Sequence, residues 1–334
     1  MKIIRYKPTT IPPKELLNLL KEKYGKGAGF DLFLSDFRKA YEFCVGNENI
    51  KFVPFAVYKN NEMVGHIALI VDRRLIPGDA FFGFLEMQRD KRIFTELWSV
   101  LVSEAKKHGV RVVKGPVNGS IWHQYRCYKK SNGEDYFKTE LPTELYYYRY
   151  LSSNNPSSEI NYYSAYRKKF EGVMSHIEKG YKSLNSNGFR IKELGKISMM
   201  ELESIGTVSK KIFSKSWGYT ELTVKEFLAL YSMDKFAAHL NKLYLLYKGD
   251  EIIGYCSTVK ENESTLICKT ICILTNYQGL GLGNALAYRV HIDAKNRGYK
   301  KVIYALIREG NNIKNFPKED AVVFREYATF EFVI

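Results

Sequence analysis

Proline and long apolar runs are scarce in this sequence, and glycine is no more frequent than in ordinary globular proteins. Its 334 residues include only 9 prolines and 24 glycines, which excludes collagen-like and wholly disordered chains. No uncharged apolar run approaches the roughly 18 residues that a membrane-spanning helix needs. Hydrophobic residues make up 45% of the chain, and the length suffices for two domains of ordinary size. We therefore expect a soluble, cytoplasmic protein with ordered cores and no membrane partner.

Patterned cysteines and histidines are also lacking. The six histidines show no H-x-x-x-H or H-E spacing, so no catalytic metal is expected. The five cysteines are odd in number and form no CxxC pair, which argues against a disulfide framework and a structural zinc site. We expect them to be reduced, mostly buried thiols; they are Cys44, Cys127, Cys256, Cys268 and Cys272.

The charge of the chain is strongly positive but dispersed. Lysine and arginine number 51 against 36 aspartate and glutamate residues, a net charge of +15, so the field of the protein should attract anions. The basic residues occur in pairs such as Lys106-Lys107 and Lys210-Lys211, without the basic block of a nucleic-acid-binding tail. This favours solvated surface lysines and a phosphorylated small molecule, with nucleic acid left open as a partner.

The chain contains an internal repeat. Residues 57–65 parallel residues 246–254 with four of nine identical, and residues 105–113 parallel residues 294–302. Both pairs stand 189 positions apart (246 − 57 and 294 − 105). A constant offset over about fifty residues indicates that one structural unit is used twice.

Each copy predicts a mixed α/β domain. The order is a strand, a polar hairpin turn, a second strand, an apolar strand, a helix and another strand. We predict a first domain over 1–155, closed by a strand in the tyrosine run 146–150, and a second domain over 186–334. A linker and a connecting helix fill residues 156–185.

An apolar strand in the second copy leads into a turn that is rich in glycine. The strand covers residues 266–273, the turn reads Gln278-Gly279-Leu280-Gly281-Leu282-Gly283, and residues 284–292 have helical character. Glycines at a strand-to-helix turn let the backbone approach a ligand, and the helix N-terminus presents N–H groups to an anion. The pattern predicts a pyrophosphate site, while a dinucleotide-binding turn and a simple tight bend stay open as alternatives.

With its flanking strand and helix, this turn resembles motif A of the GNAT superfamily of N-acetyltransferases. Gln278, Gly281 and Gly283 match the signature R/Q-x-x-G-x-G/A. The resemblance implies that the turn binds the pyrophosphate of acetyl-CoA, that the strand end pairs with the pantetheine arm, and that an asparagine opens the last helix. The cofactor-binding residues that it implies are Ile271, Cys272, Ile273, Gln278, Gly279, Leu280, Gly281, Leu282, Gly283, Asn284 and Asn312.

The first copy departs from this signature. Arg89, Arg92 and Phe94 stand 189 positions before Gln278, Gly281 and Gly283, so bulky side chains replace the glycines. We expect a degenerate GNAT-like first domain that binds no acyl-CoA and supports the second. The chain is similar in this respect to tandem GNAT proteins with one active half.

The resemblance also guides the choice of acid and base. GNAT enzymes commonly use a carboxylate or a water chain as base and a tyrosine of the last helix as acid. Here Glu319 stands where that tyrosine is customary, which leaves Tyr327 on the final strand as the candidate acid. Glu261 and Glu263, in the turn before the cofactor strand, are the candidate bases.

The sequence is best interpreted as an acyl-CoA-dependent N-acyltransferase. It would transfer an acetyl group from acetyl-CoA to a small-molecule or peptide amine by direct attack, and Trp217 and Tyr219 are candidates for lining the acceptor pocket. Two alternatives stay open. One is a tRNA-dependent aminoacyl transferase of the same fold, which the net charge favours. The other is a non-catalytic acyl-CoA-sensing or RNA-binding protein, which the missing helix tyrosine favours.

Overall fold

The chain divides into two units. The computed structural model describes residues 1–25, 29–231, 240–311 and 320–334. The first unit comprises residues 1–162, 217–220 and 325–334, and the second comprises residues 163–216 and 221–324. Compared with the boundaries expected from the sequence, the first unit also takes a short segment at 217–220 and the end of the chain.

The first unit contains two layers of helices around a sheet. Its strands follow the order β1-β2-β3-β4-β5 and then the end of β15, and all these pairs are antiparallel except β4 and β5. Helix α3 covers one face, and α1 and α2 cover the other. The elements of this unit are β1 (Lys2–Arg5), α1 (Lys14–Tyr24), α2 (Phe30–Gly46), β2 (Ile50–Lys59), β3 (Glu62–Asp72), β4 (Asp79–Met87), α3 (Lys91–Lys107), β5 (Val112–Gly115), β6 (Val117–Asn118), β7 (Gln124–Tyr125), β8 (Cys127–Ser131) and α4 (Leu145–Ser152).

The second unit has a sheet of the same kind, in the order β10-β11-β12-β13-β14, with only β13 and β14 parallel. Helices α5 and α8 pack on one face of it. Two long strands, β9 (Ser158–Arg167) and β15 (Ala321–Val333), contribute residues to both units. The other elements are α5 (Glu171–Lys182), β10 (Phe189–Leu194), α6 (Met199–Phe213), α7 (Val224–Leu230), β11 (Leu240–Lys248), β12 (Glu251–Lys260), β13 (Thr265–Ile273), α8 (Leu282–Asn296) and β14 (Lys301–Arg308).

The repeat is visible in the structure. Strands β3 and β12 begin at residues 62 and 251, and β5 and β14 begin at residues 112 and 301, so each pair is 189 residues apart (251 − 62 and 301 − 112). Asn60 and Asn61 have φ of 51° and 65°, which is the geometry of the two-residue hairpin turn that their identity predicts. The expected tandem mixed α/β fold is confirmed.

One predicted element is wrong. The tyrosine run 146–150 is helix α4 and not a closing strand. Tyr147 is 1% exposed, and its hydroxyl donates to Glu86 at 3.0 Å. Tyr146 donates to the carbonyl oxygen of Met87 at 2.6 Å. These tertiary contacts hold the aromatic side chains on a helix, although aromatic residues favour strands in isolation.

The described helices show no membrane span. Among the residues that the structure covers, no helix combines the length and the apolar character needed to cross a bilayer.

Candidate functional site

Strands β13 and β14 separate at a defined point. Their parallel pairing runs from Thr265 with Lys301 to Cys268 with Tyr304. On the other edge of β13, Cys268 pairs with Thr258 and Thr270 pairs with Ser257, so Lys269 is an extra residue. Such a β-bulge bends a strand and is frequent beside functional sites. The bulge therefore opens a split beyond Cys268, along the edge of Ile271–Ile273.

The glycine turn follows the far end of this strand. Gly279 and Gly281 have φ of 82° and 75°, a conformation that glycine adopts without strain. Gly281 is the N-cap of α8, and no side chain in the described part of the chain caps this helix. The Gln278 side chain donates from Nε2 to the carbonyl oxygen of Ile273 at 3.1 Å and fixes the turn to the strand. The first N–H groups of α8 therefore point outward without intrahelical partners.

The turn has room for a ligand on one side. Among the described residues, a Cβ built on Gly279 meets no atom within 4 Å, and one built on Gly283 meets only Cδ1 of Ile273, at 3.8 Å. Positive helix-dipole ends and open N–H groups bind phosphates in many proteins. The residues present thus fit the pyrophosphate of an acyl-CoA on the side of Gly279 and Gly283.

Helix α5 closes the other side of the turn. A Cβ built on Gly180 would lie 2.8 Å from the carbonyl oxygen of Gly281 and 3.3 Å from Cβ of Asn284. Further along the two helices, Val173 and Ile177 pack against Ala287 and Tyr288. The contact between Gly180 and Gly281 therefore determines how close α5 stands to the turn.

The first unit fills the same place with its own carboxylate. Asp90 is the N-cap of α3 and accepts from the backbone N–H of Arg92 at 2.9 Å. The Arg92 guanidinium contacts both oxygens of that carboxylate, at 3.1 and 2.7 Å. Phe94, at the position of Gly283, is 4% exposed in the core. A protein anion thus occupies the helix N-terminus that would bind a phosphate.

The split of the first unit is also filled. Pairing of β4 with β5 ends at Phe81 with Lys114. Beyond it, the side-chain oxygen of Asn118 accepts from the backbone N–H of Phe84 at 2.6 Å. A Cβ built on Gly83 would overlap the carbonyl oxygen of Val117. Strand β6 therefore covers the strand edge that is open in the second unit.

The two candidate bases lie at the wrong end of β13 for the glycine turn. Glu261 and Glu263 precede this nine-residue strand, and strands rise by about 3.3 Å per residue, so about 30 Å separates its ends. The side chain of Glu263 is 92% exposed. Its hydrogen bond with Lys260 lowers the pKa of the carboxyl, which weakens it as a base. The structure does not bring these carboxylates to the turn.

The candidate acid and the acceptor residues belong to the first unit. Tyr327 is 2% exposed, and its hydroxyl donates to Glu140, a carboxyl whose pKa burial raises to about 7. Nε1 of Trp217 donates to Glu331 at 2.7 Å. The ring centroid of Tyr219 lies 6.1 Å from that of Trp122. Tyr327 thus has a structural partner of its own. Asn312 and Glu319 lie outside the described residues.

A tyrosine that the sequence did not single out stands at the base of the split. Tyr304 is the last residue of β14 to pair with β13, and its hydroxyl lies 2.5 Å from Nε2 of His291. Nδ1 of His291 lies 2.7 Å from the carbonyl oxygen of Ala287. Since a carbonyl only accepts, Nδ1 carries the proton and Nε2 accepts from Tyr304. Sequence reasoning sought a tyrosine after this strand and not within it.

Burial controls the ionisation of this pair. It lowers the pKa of His291 to about 4, with a smaller contribution from Arg167, and so keeps the ring neutral near pH 7. It raises the pKa of Tyr304, and the charge of Arg167 opposes that rise. The phenol therefore keeps its proton at neutral pH. No group of three or more potential metal-ligating side chains occurs within the residues described.

Part of the second unit matches a family model. Residues 208–315 match the model described as "Acetyltransferase (GNAT) family". This segment includes β13, the glycine turn, α8 and β14. No curated protein matches the chain significantly.

Solved structures are similar to the chain over its whole length. A tandem GNAT protein from the clavulanic acid biosynthesis pathway has a TM-score of 0.58 and 10% identity, over 99% of this chain and 98% of that one. A conserved protein of unknown function from Enterococcus faecalis V583, a probable N-acyltransferase, has a TM-score of 0.60 and 10% identity. The match covers 100% of this chain and 72% of that one. A GCN5-related N-acetyltransferase from Sphaerobacter thermophilus has a TM-score of 0.52 and 11% identity, and the match covers 99% of this chain and 95% of that one. At such identities the likeness concerns the fold.

Proposed function

We propose that the second unit, of which residues 208–315 match the GNAT family model, is an acyl-CoA-dependent N-acyltransferase within a chain that has the tandem GNAT fold. Acetyl-CoA is the proposed donor, and the acceptor is an amine of a small molecule or peptide. The observation that carries the proposal is the open, uncapped N-terminus of α8 beside the split of β13. The same two places in the first unit are filled by Asp90 and Asn118.

The second unit supplies the binding groups. The backbone N–H groups from Gln278 to Asn284 would hold the pyrophosphate, because a helix N-terminus stabilises negative charge. The edge of Ile271–Ile273 would pair with the amide groups of the pantetheine arm. When bound, the acyl-CoA supplies a thioester carbonyl that an amine can attack.

Direct attack is favoured over an acyl-cysteine intermediate. Cys256 and Cys272 are buried in the second unit, at 0% and 7% exposed. Burial raises the pKa of the Cys272 thiol to about 12 and also raises that of Cys256. Because the thiolate is the nucleophilic form, these thiols are poorly suited to accept an acyl group.

Tyr304 is our candidate for the general acid. A phenol with a raised pKa stays protonated at neutral pH and can give its proton to a departing thiolate. The nearby Arg167 favours the resulting phenolate. Tyr304 replaces Tyr327 in this role because it lies in the second unit at the base of the split.

The test is acetyl-CoA binding to variants of Gly283. Calorimetry on the wild-type chain should show binding, and Gly283→Asp should weaken it at least tenfold more than Gly283→Asn does. The two side chains are nearly equal in size, so the difference measures repulsion between the carboxylate and the pyrophosphate. Aspartate in the first turn is compatible with the helix, and the space at Gly283 admits a side chain.

Two results would contradict the proposal. One is the absence of acetyl-CoA binding to the wild-type chain, which would favour the tRNA-dependent or RNA-binding alternatives. The other is equal affinity in Gly283→Asp and Gly283→Asn, which would place the ligand away from the turn.

A further inference from the structure

Arg126 is a buried guanidinium in the first unit without an anionic partner. The residue is 7% exposed. Among the residues that the structure describes, its Nε atom has no hydrogen-bond acceptor and its guanidinium makes no ion pair. A buried charge without a partner is costly, and such groups in native proteins call for a physical explanation. A bound anion would supply the missing acceptor.

The surroundings hold the guanidinium in one place. Its central carbon lies 3.8 Å from the ring centroid of Tyr125 and 4.4 Å from that of Tyr162. The two rings are nearly perpendicular, at 85°, so Arg126 sits in the corner between them. Ring contacts orient a guanidinium by its faces and leave its edge for hydrogen bonds.

The backbone at Arg126 is fixed as well. Its φ is 81°, a region that residues with a side chain rarely adopt. The backbone N–H of Arg126 donates to the carbonyl oxygen of Pro116 at 2.9 Å. The residue thus follows directly from β7, whose pairing with β6 fills the split of this unit.

A second unpartnered polar group occupies the neighbouring register position. On β15, Ala328 pairs with Cys127 and Phe330 pairs with Gly115, so Thr329 between them stands opposite the junction of Pro116 and Arg126. Thr329 is 0% exposed, and its Oγ1 has no hydrogen-bond partner among the described residues. A hydroxyl and a guanidinium edge are both donors to an oxyanion.

The local charge favours a single negative charge on the ligand. Lys114 pairs with Asp79 at 2.7 Å and with Glu331 at 3.5 Å, so that lysine is already engaged. Arg126 then contributes one uncompensated positive charge. The planar fork of a guanidinium matches a carboxylate in a bidentate arrangement.

The aromatic side chains beside Arg126 suit a ligand with an apolar part. The ring of Trp217 stacks 6.5 Å from that of Tyr125, at 25°. The ring centroid of Phe81, a fully buried residue, lies 6.4 Å from that of Trp217. Pockets that pair apolar walls with a few polar groups are typical of small-molecule sites.

We propose that Arg126 forms a binding site in the first unit for the carboxylate of a small molecule with an apolar or aromatic portion. The site is separate from the acyl-CoA turn of the second unit and does not depend on the proposed transferase activity. The first unit, whose helix N-terminus and strand edge are filled by Asp90 and Asn118, would thus bind a carboxylate in place of an acyl-CoA.

The experiment is calorimetric titration of the full chain with acetate, phenylacetate and N-acetylphenylalanine, and with phenylacetamide and inorganic phosphate as comparisons. At least one carboxylate should bind, and phenylacetamide should not. Arg126→Asn should weaken that binding about ten- to a hundredfold, as expected for loss of a charge-assisted pair. Asparagine tolerates the left-handed backbone, so the melting temperature without ligand should be unchanged or higher.

Arg149→Gln, at an exposed position of α4, is the matched control and should bind like the wild type.

Several outcomes would overturn the proposal. They are no binding of any of the three carboxylates, tighter binding of phosphate than of all of them, or unchanged affinity in Arg126→Asn. If Arg126→Asn melts far below the wild type, Arg126→Lys decides, because it keeps the charge but loses the planar fork. Wild-type affinity in Arg126→Lys would then contradict the proposal, and a loss of at least fivefold would support it. Gly283→Asp should bind the carboxylate normally, which separates this test from that of the acyl-CoA site.

Discussion

At the scale of single residues, two buried tyrosines differ in what their hydroxyls can do. Tyr327 donates to Glu140, which also accepts from Arg325 at 2.5 Å, within the first unit. Tyr304 donates to a neutral histidine in the second unit, at the point where β13 leaves β14. The first hydroxyl stabilises a buried carboxyl, whereas the second belongs to the last residue of β14 that pairs with β13.

We predict opposite effects for removing these hydroxyls. Tyr304→Phe should lower turnover about a hundredfold or more if the phenol is the acid, whereas Tyr327→Phe should retain turnover within about tenfold. Tyr327→Phe should instead lower the free energy of unfolding by about 1–3 kcal/mol, since Glu140 loses a donor. Release of free CoA, with an amine acceptor found by screening, measures turnover, and denaturant titration measures stability.

Tyr150→Phe is the control for this pair. The Tyr150 hydroxyl has no hydrogen-bond partner in the described part of the chain, so both measurements should stay at wild-type values. Equal turnover in Tyr304→Phe and Tyr327→Phe, with acetyl-CoA affinity unchanged in both, would remove Tyr304 as the acid.

At the scale of elements, the contact of α5 with α8 positions the glycine turn. The two helices run in opposite directions, because Nζ of Lys295 near the end of α8 donates to Oε1 of Glu171 at the start of α5, at 3.1 Å. At the other end, Gly180 leaves no room for a Cβ beside Gly281. Glycine at this position lets the helix backbones approach closely.

Alanine at the two glycines of α5 should have opposite consequences. Gly180→Ala should push α5 from the turn, lower the free energy of unfolding by about 1–3 kcal/mol through overpacking, and weaken acetyl-CoA binding. Gly172→Ala, where a Cβ meets no atom of the described residues within 4 Å, should raise the free energy of unfolding by up to about 1 kcal/mol through helix propensity and leave affinity unchanged. Denaturant titration and calorimetry check both, and equal behaviour of the two variants would contradict the close contact.

At the scale of the whole molecule, the two copies of the fold differ in what occupies the helix N-terminus and the strand edge. Both keep the parallel strand pair that separates, β4 with β5 and β13 with β14. Among the described residues, nothing caps the helix N-terminus or pairs with the strand edge beyond Cys268 in the second unit. The first uses Asp90 and Asn118 to satisfy the corresponding backbone groups.

We predict one acetyl-CoA per chain. Calorimetry should give a stoichiometry near one, and Asp90→Gly should leave it near one, because Asn118 and Val117 still cover the strand edge. Gly283→Asp should remove this binding and leave no second site. A stoichiometry near two in the wild-type chain would show that the first unit binds the cofactor as well.

The sequence by itself determined the features that depend on neighbouring residues. The duplication, the hairpin at Asn60 and Asn61, and the glycine turn before α8 all follow from local backbone preferences and from periodicity. For the same reason, Arg92 and Phe94, which stand at the positions of Gly281 and Gly283, were enough to predict that the first copy lacks a glycine turn. Patterns of this kind fix φ, ψ and the buried face of an element.

Only the tertiary structure decided what depends on contacts between distant residues. The sequence could not show that Gly180 touches Gly281, that Tyr327 donates to Glu140, or that Arg126 sits between Tyr125 and Tyr162. The tyrosine run 146–150 became a helix for the same reason. Packing and buried hydrogen bonds outweigh intrinsic propensities of less than about 1 kcal/mol per residue, and no local pattern encodes which distant partner a side chain meets.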